Sequence, residues 1–230
     1  VEQGTAGNWR KWDRAGLQQY IYRREIQRIK GIAGPADRGY LLDAICKIWC
    51  LATVTGGMNL DEETRAMPYL ACDDDMLHRN GVSADYLISL LRNVCGDEKH
   101  DIAPYEPDLV GEYFVMETLK DRGPLINRDL LVHAWRMDAR STAEFLYRTF
   151  SDYGKDHEFS DLLNCDGGCW INAEPAESSG VYYYALFIAS LTIIHDGEQA
   201  FSAVQRLDRI VASNEYREDL CNLYAIGLVN

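Results

Sequence analysis

Apolar residues recur at helical spacing along most of this 230-residue chain, and Gly or Pro interrupts them at intervals. A period of three to four residues lets a segment bury one side as a helix, whereas a half-buried strand needs alternation. Asp13 reads as the N-cap of a first helix from Arg14 to Lys30, with Leu17, Tyr20, Ile21 and Ile29 apolar and Gly31 as its stop. A second helix is predicted from near Pro35, carrying Leu41, Leu42, Ile45, Ile48, Trp49 and Leu51, with Gly56 and Gly57 ending it. Apolar residues nearly surround that helix, which places it at the centre of a core. A third is predicted after Asp61, through Met67 and Leu70. Ser83 caps a fourth, with Tyr86, Leu87, Leu90 and Leu91 on one side and Gly96 at its end.

The stretch Ile102 to Leu119, IAPYEPDLVGEYFVMETL, joins an extended segment to another helix start. Pro104 and Pro107 block helix before it, and Pro107 suits the first turn, where its missing N–H has no partner to lose. Asp108 and Glu112 place negative charge at the positive end of that helix. Leu109, Phe114, Val115 and Leu119 form its predicted buried stripe. Ile102 to Tyr105 is the one region that reads as extended, and a partner between Met76 and Val82 would make a small β-wing beside three helices. Pro104, Pro107, Asp108, Gly111 and Glu112 are therefore a structural junction rather than a catalytic device.

Gly123–Pro124 is a clear break, and helices follow in a train. Asn127 is read as the cap of a helix holding Leu130, Leu131, Ala134 and Trp135. Ser141 is read as the cap of one holding Phe145, Leu146 and Phe150. A short helix over 159–163 and three more over 181–194, 198–212 and 215–228 complete the train. Helices of this length joined by short turns predict an antiparallel, repeat-like stack. The expected fold is all-α, with a winged-helix-like helical module at 1–122 and a TPR-like helical-repeat module at 124–230.

A formal net charge of −13 argues against nucleic acid or an anionic membrane as the main partner, since both select clustered Lys and Arg. The charge is uneven. Residues 1–30 hold seven basic residues against three acidic ones, a charge of +4 that leaves −17 on the remainder. Arg23, Arg24 and Arg28 on the first helix, together with Tyr183 in the run Tyr182 to Tyr184, are candidates for a protein-interaction surface. Seven Cys in no dense framework fit a reduced, cytoplasmic protein. The longest apolar run, Tyr182 to Ile194, is shorter than the ~20 residues that cross a bilayer. The chain opens on Val1 rather than Met, so it is expected to be a piece of a longer protein.

Motif chemistry is sparse. GxxxxGK[ST], GxGxxG, HExxH, GxSxG and DxDxDG are all absent from the sequence. Cys165 and Cys169 form a CxxxC pair across two glycines, but His157 and His195 stand at no ligand spacing from it, so the pair reads as a tight turn. Cys46 and Cys50 read as small core residues on an apolar helix. Asp73, Asp74 and Asp75 read as a solvated acidic turn, and Asp156, His157 and Glu158 as a polar loop between helices. No catalytic, cofactor-binding or metal-ligating residue is expected, and no cofactor.

PYEPDLVGEYFVMETL resembles the end of the winged-helix module in bacterial STAND-type signalling ATPases, regulatory relatives of apoptotic and innate-immune NTPases. The family commonly shows Pro-x-x-Pro-Asp-Leu-apolar-Gly-Glu-apolar-apolar-Val there. Pro104, Pro107, Asp108, Leu109, Val110, Gly111, Glu112 and Val115 match it. LQQYIYRRE at 17–25 is similar to the helix that follows the ATPase core, and LATVTGG at 51–57 to a segment inside the winged helix. HAWRMDARSTAEFLYRTFSDYGKDHEFSDLL resembles the first repeats of a sensor array. Many relatives carry Met-His-Asp with a His on bound ADP. Glu106–Pro107–Asp108 stands there in this chain, so the resemblance carries over no nucleotide ligand.

The resemblance implies a non-catalytic regulatory fragment of a signal-transducing NTPase, coupling partner sensing to a nucleotide switch. The implied partner is a protein, or the NTPase domain that lies outside these residues. Three other readings compete. One is a free-standing helical adaptor or bacterial effector. A second is an enzyme with a dispersed site using Cys169 or His157. The weakest is DNA binding by the winged helix and the basic first helix, which the overall charge opposes.

Overall fold

The computed structural model describes residues 13–34, 39–60, 81–120 and 124–153. Among these the regular elements are six helices: α1 (Arg14–Ala33), α2 (Tyr40–Val54), α3 (Ala84–Cys95), α4 (Asp108–Leu119), α5 (Pro124–Met137) and α6 (Ala139–Tyr153). The all-α expectation holds. The helices read over 61–70 and beyond Tyr153 lie outside the described residues, as do Cys165, Cys169, His157, Tyr183, Asp73 to Asp75 and Asp156 to Glu158.

Helix starts follow local chemistry. Asp13 Oδ1 accepts the Gly16 N–H at 2.8 Å, and Ser83 Oγ accepts that of Tyr86 at 3.2 Å. Each satisfies a donor that the first turn cannot bond internally. Asp13→Ala is expected to cost about 1 kcal/mol, read from a denaturant midpoint.

Several boundaries differ from the sequence reading. α1 runs past Gly31 and ends at Gly34, whose φ of 88° suits the left-handed side of conformational space. Gly31 is a helix-interior glycine with open space around it. α5 begins at Pro124 rather than after Asn127, with proline at the first helical position. Asp138, not Ser141, caps α6: its carboxylate accepts the Ser141 N–H and hydroxyl, both at 2.9 Å.

α2 packs against all five other helices. Leu41, Ala44, Ile45, Cys46, Ile48, Trp49, Cys50, Leu51, Ala52 and Val54 are buried, and one continuous cluster joins them to Leu87 and Leu91 of α3, Phe114 and Val115 of α4, Trp135 of α5 and Phe145 of α6. The core position predicted for α2 is the observed one. Cys46, Cys50 and Cys95 are free and buried. Cys95 donates its S–H to the Leu91 carbonyl at 3.1 Å, and burial pushes its thiol up to about 12. It behaves as a core residue rather than a nucleophile. Tyr86 and Leu109, both predicted to be buried, are instead 49% and 36% exposed.

The extended segment pairs with Met58; residues 76–80, where most of the expected partner lies, are outside the described residues. Met58 and Ile102 form a two-residue antiparallel bridge, N–H to carbonyl at 2.9 and 3.0 Å. Its flanks are tied by side chains. Asp101 accepts the Leu60 N–H at 2.9 Å and Arg92 Nε at 2.8 Å. Those two bonds hold the Asp101 carboxyl below its ordinary range, the Leu60 N–H first. A depressed carboxylate contributes stability above its unfolded-state pKa and loses it as pH falls through the folded one. Asp101→Asn is therefore expected to flatten the acid limb of a stability-versus-pH curve below about pH 4.

Candidate functional site

The extended segment delivers Tyr105 onto the start of α4. Trp49 Nε1 donates to the Ala103 carbonyl at 3.0 Å, and Thr53 Oγ1 accepts the Tyr105 N–H at 3.1 Å. The Tyr105 ring stacks on Phe114 with centroids 5.1 Å apart and planes 10° apart, and meets Trp49 edge-on at 4.7 Å. Burial pushes the Tyr105 phenol up to about 12. Gly111 makes this seat possible. A Cβ there would overlap the Tyr105 carbonyl oxygen and lie 3.1 Å from Thr53 Cγ2. Pro107, preceded by a cis bond from Glu106, sits at the N-cap of α4, and its carbonyl accepts the Gly111 N–H at 3.0 Å. Pro104 and Asp108 line the small cleft beside this start of α4.

Glu112 departs from its predicted role at the helix end. Its side chain is 2% exposed, against 71% for Asp108, so only Asp108 meets the helix end from solvent. Glu112 Oε1 accepts Arg148 Nε of α6 at 3.1 Å, while Oε2 is buried with no hydrogen-bond donor. Arg148 also reaches Asp108 at 3.7 Å. Burial raises the Glu112 carboxyl to about 7, against the pull of Arg148 and with a further push from Asp152. A carboxyl with that value is a proton store near neutral pH.

α6 brings a second set of polar groups to α1. Gln18 is 5% exposed and its Nε2 donates to the Tyr153 hydroxyl at 2.6 Å. That hydroxyl donates in turn to the Leu109 carbonyl at 3.2 Å. Arg14 lies over the Tyr153 ring at 5.3 Å and reaches Asp152 at 3.5 Å. Arg14, Gln18, Tyr113, Glu117, Lys120 and Asp152 line a cleft of about 530 Å³. A smaller one of about 210 Å³ is lined by Thr53, Gly56, Tyr105, Asp108, Ser141 and Arg148. One residue from each cleft, Arg148 and Asp152, acts on the Glu112 carboxyl.

Sequence reasoning missed Gln18, Arg148, Asp152 and Tyr153. The single available signal was that Arg148 and Asp152 are four residues apart, on one side of a helix. The predicted interaction surface divides. Arg23 and Arg24 are exposed on α1, beside Leu17 at 47% and Tyr20 at 49%. Arg28 is exposed as well but is tied down: Nε donates to Glu25 at 2.6 Å, Nη2 to the Val94 carbonyl at 2.8 Å, and its guanidinium lies 5.8 Å from the Trp49 ring centre.

No family model, curated protein or solved structure matches the chain. Among the described residues no cluster of His, Cys, Asp and Glu could hold a metal ion, and no helix is long and apolar enough to cross a membrane.

Proposed function

We propose that these residues are a non-catalytic regulatory piece of a signal-transducing NTPase, in which α2 to α4 act as a winged-helix-like module and α5 and α6 open a helical sensor array. The observation that carries the reading is the Met58–Ile102 bridge. Among the described residues it follows α2 on one side and α3 on the other, an alternation of helix and extended residue that supports the winged-helix-like reading. The seat of Tyr105 on Gly111 gives the Pro-x-x-Pro-Asp-Leu-x-Gly pattern a physical reason: only a residue without a side chain admits the incoming backbone.

In this reading partner binding to the array shifts α4 and its neighbours relative to a nucleotide-bound core. Such a shift requires the partner to bind the two states with different affinity. The exposed side of α1, with Leu17, Tyr20, Arg23 and Arg24, is the surface offered to that core or to a protein partner. In this reading nucleotide belongs to the core, because Pro107 stands where the resembled family commonly places a His.

Calorimetric titration of the chain with ATP and ADP tests the division of labour. No heat of binding is expected, and micromolar affinity (about −8 kcal/mol) would overturn it. The parent reading frame gives the second test. A phosphate-loop ATPase encoded on the amino-terminal side supports the proposal, and a start codon at Val1 favours a free-standing adaptor.

A further inference from the structure

The larger cleft presents two acceptors that no donor among the described residues uses. Gln18 is 5% exposed, and its amide nitrogen bonds inward, to the Tyr153 hydroxyl at 2.6 Å and the Leu109 carbonyl at 3.4 Å. The bond to a carbonyl identifies that end of the amide as the nitrogen, since two carbonyl oxygens cannot bond each other. Oε1 is therefore the free end. Gln18 lines the cleft, and this oxygen keeps contact with solvent but has no donor among the described residues. Glu117 lines the same cleft; it is half-buried, and no hydrogen bond or ion pair joins it to another described residue. An anchored amide oxygen and an unpaired carboxylate suit a ligand that carries only donors.

We propose that the cleft between α1, α4 and the end of α6 binds a linear polyamine, with one ammonium on Gln18 Oε1 and another on Glu117. The site does not depend on the NTPase reading. Separation sets the class of ligand. The Gln18 amide sits at Leu109, and Glu117 is eight residues further along α4, about 12 Å at the helical rise. A point charge cannot serve both ends. The donor set disfavours a metal ion in a second way: among the described residues no three His, Cys, Asp or Glu converge to hold one. An alkyl chain with ammonium groups along it spans the gap. Tyr113 stands one turn from each of Leu109 and Glu117, and its ring centre is 6.5 Å from that of Tyr153. Methylene groups of the ligand lie against these rings. Arg14, 5.3 Å from the Tyr153 ring centre, shows that this ring already receives a cation.

Charge agrees with that assignment. Asp13, Glu117 and Asp152 against Arg14 and Lys120 leave one negative charge on the walls. Arg14 is answered by Asp152 at 3.5 Å, and Lys120 is exposed at the C-terminal end of α4. The chain as a whole carries −13, which draws small polycations and repels polyanions.

The test is calorimetric titration of the full 230-residue chain with spermidine at about 0.15 M salt, where diffuse attraction to the net charge is screened beyond ~8 Å. A single saturable site is expected, with Mg²⁺ and methylammonium each at least roughly tenfold weaker. No saturation by millimolar spermidine overturns the proposal. Equal affinity for Mg²⁺ makes the binding a diffuse counterion effect, and equal affinity for methylammonium removes the need for an elongated ligand; either result overturns it. Glu117→Gln has no partner to lose, so its fold is expected to survive. It is expected to weaken spermidine about tenfold, the loss of one charge-assisted hydrogen bond. Glu98→Gln, in the exposed turn after α3, removes the same charge away from the cleft and is expected to leave the affinity unchanged. Equal weakening in the two variants overturns the site. Nitrogen–proton NMR then places the ligand. The Gln18 side-chain amide resonances, identified by their absence in Gln18→Met, are expected to shift at saturation because their protons sense a bond formed at the carbonyl. Resonances that stay in place at saturation overturn the contact with Gln18. If Gln18→Met does not fold, the Glu117→Gln and Glu98→Gln titrations decide the question.

Discussion

Gly111→Ala is expected to destabilise the protein by more than about 3 kcal/mol, although it adds only one methyl group. The added carbon would overlap the Tyr105 carbonyl oxygen, which is backbone and cannot rotate away. Relief requires the extended segment to rise off α4. That movement breaks the bond from the Tyr105 N–H to Thr53 Oγ1 and separates the Tyr105 and Phe114 rings. Gly31→Ala is the control. It also adds a methyl to a helical glycine, but nothing lies within 4 Å of the new carbon. It is expected to stabilise by roughly 0.5–1 kcal/mol, because alanine loses less backbone entropy in a helix. Urea titration of both variants checks the contrast, and a Gly111→Ala protein within ~1 kcal/mol of wild type would show that the segment is not held as described.

Trp49→Ala is the second large effect, with an expected cost of about 4 kcal/mol. Trp49 is 5% exposed in α2 and fills the space between Arg28, Tyr105 and Phe114. Its removal leaves a cavity where three segments meet and takes away the donor to the Ala103 carbonyl. Trp49→Phe separates the two losses. It keeps most of the volume and leaves the carbonyl without its indole partner, so roughly 1–2 kcal/mol is expected. Thermal midpoints measured at one pH order the three proteins, and a Phe variant as unstable as the Ala variant would assign the effect to the hydrogen bond.

α2 was readable from sequence because burial on every side writes itself into composition: a helix with apolar residues all round has no solvent face to offer. Asp13 and Ser83 were readable because a cap acts over three residues. The limits of legibility are equally physical. Met58 follows two glycines and pairs at a single position, so it leaves none of the alternation that marks a strand. Glu112 meets Arg148 across 36 residues, and its acidic character near a helix start suggested a role in the dipole that burial removes. Leu109 fits the apolar stripe of α4 by spacing, but its carbonyl accepts from Tyr153 while its side chain stays partly exposed. In each case the partner lies in another element, and no local period encodes it. The helix start after Pro107 was legible; the use of Gly111 as a backbone seat was not.

The position of α2 bears on how this chain can be divided. α5 and α6 follow the Gly123–Pro124 break, yet both rest on a helix that ends some seventy residues earlier in the sequence. A scissile site at that break would therefore not release two self-sufficient halves. The first would keep Trp49 and its neighbours but lose part of their cover, and the second would present Leu130, Leu131, Ala134 and Trp135 to water. A protease that cut there would leave the fragments associated until a denaturant separated them.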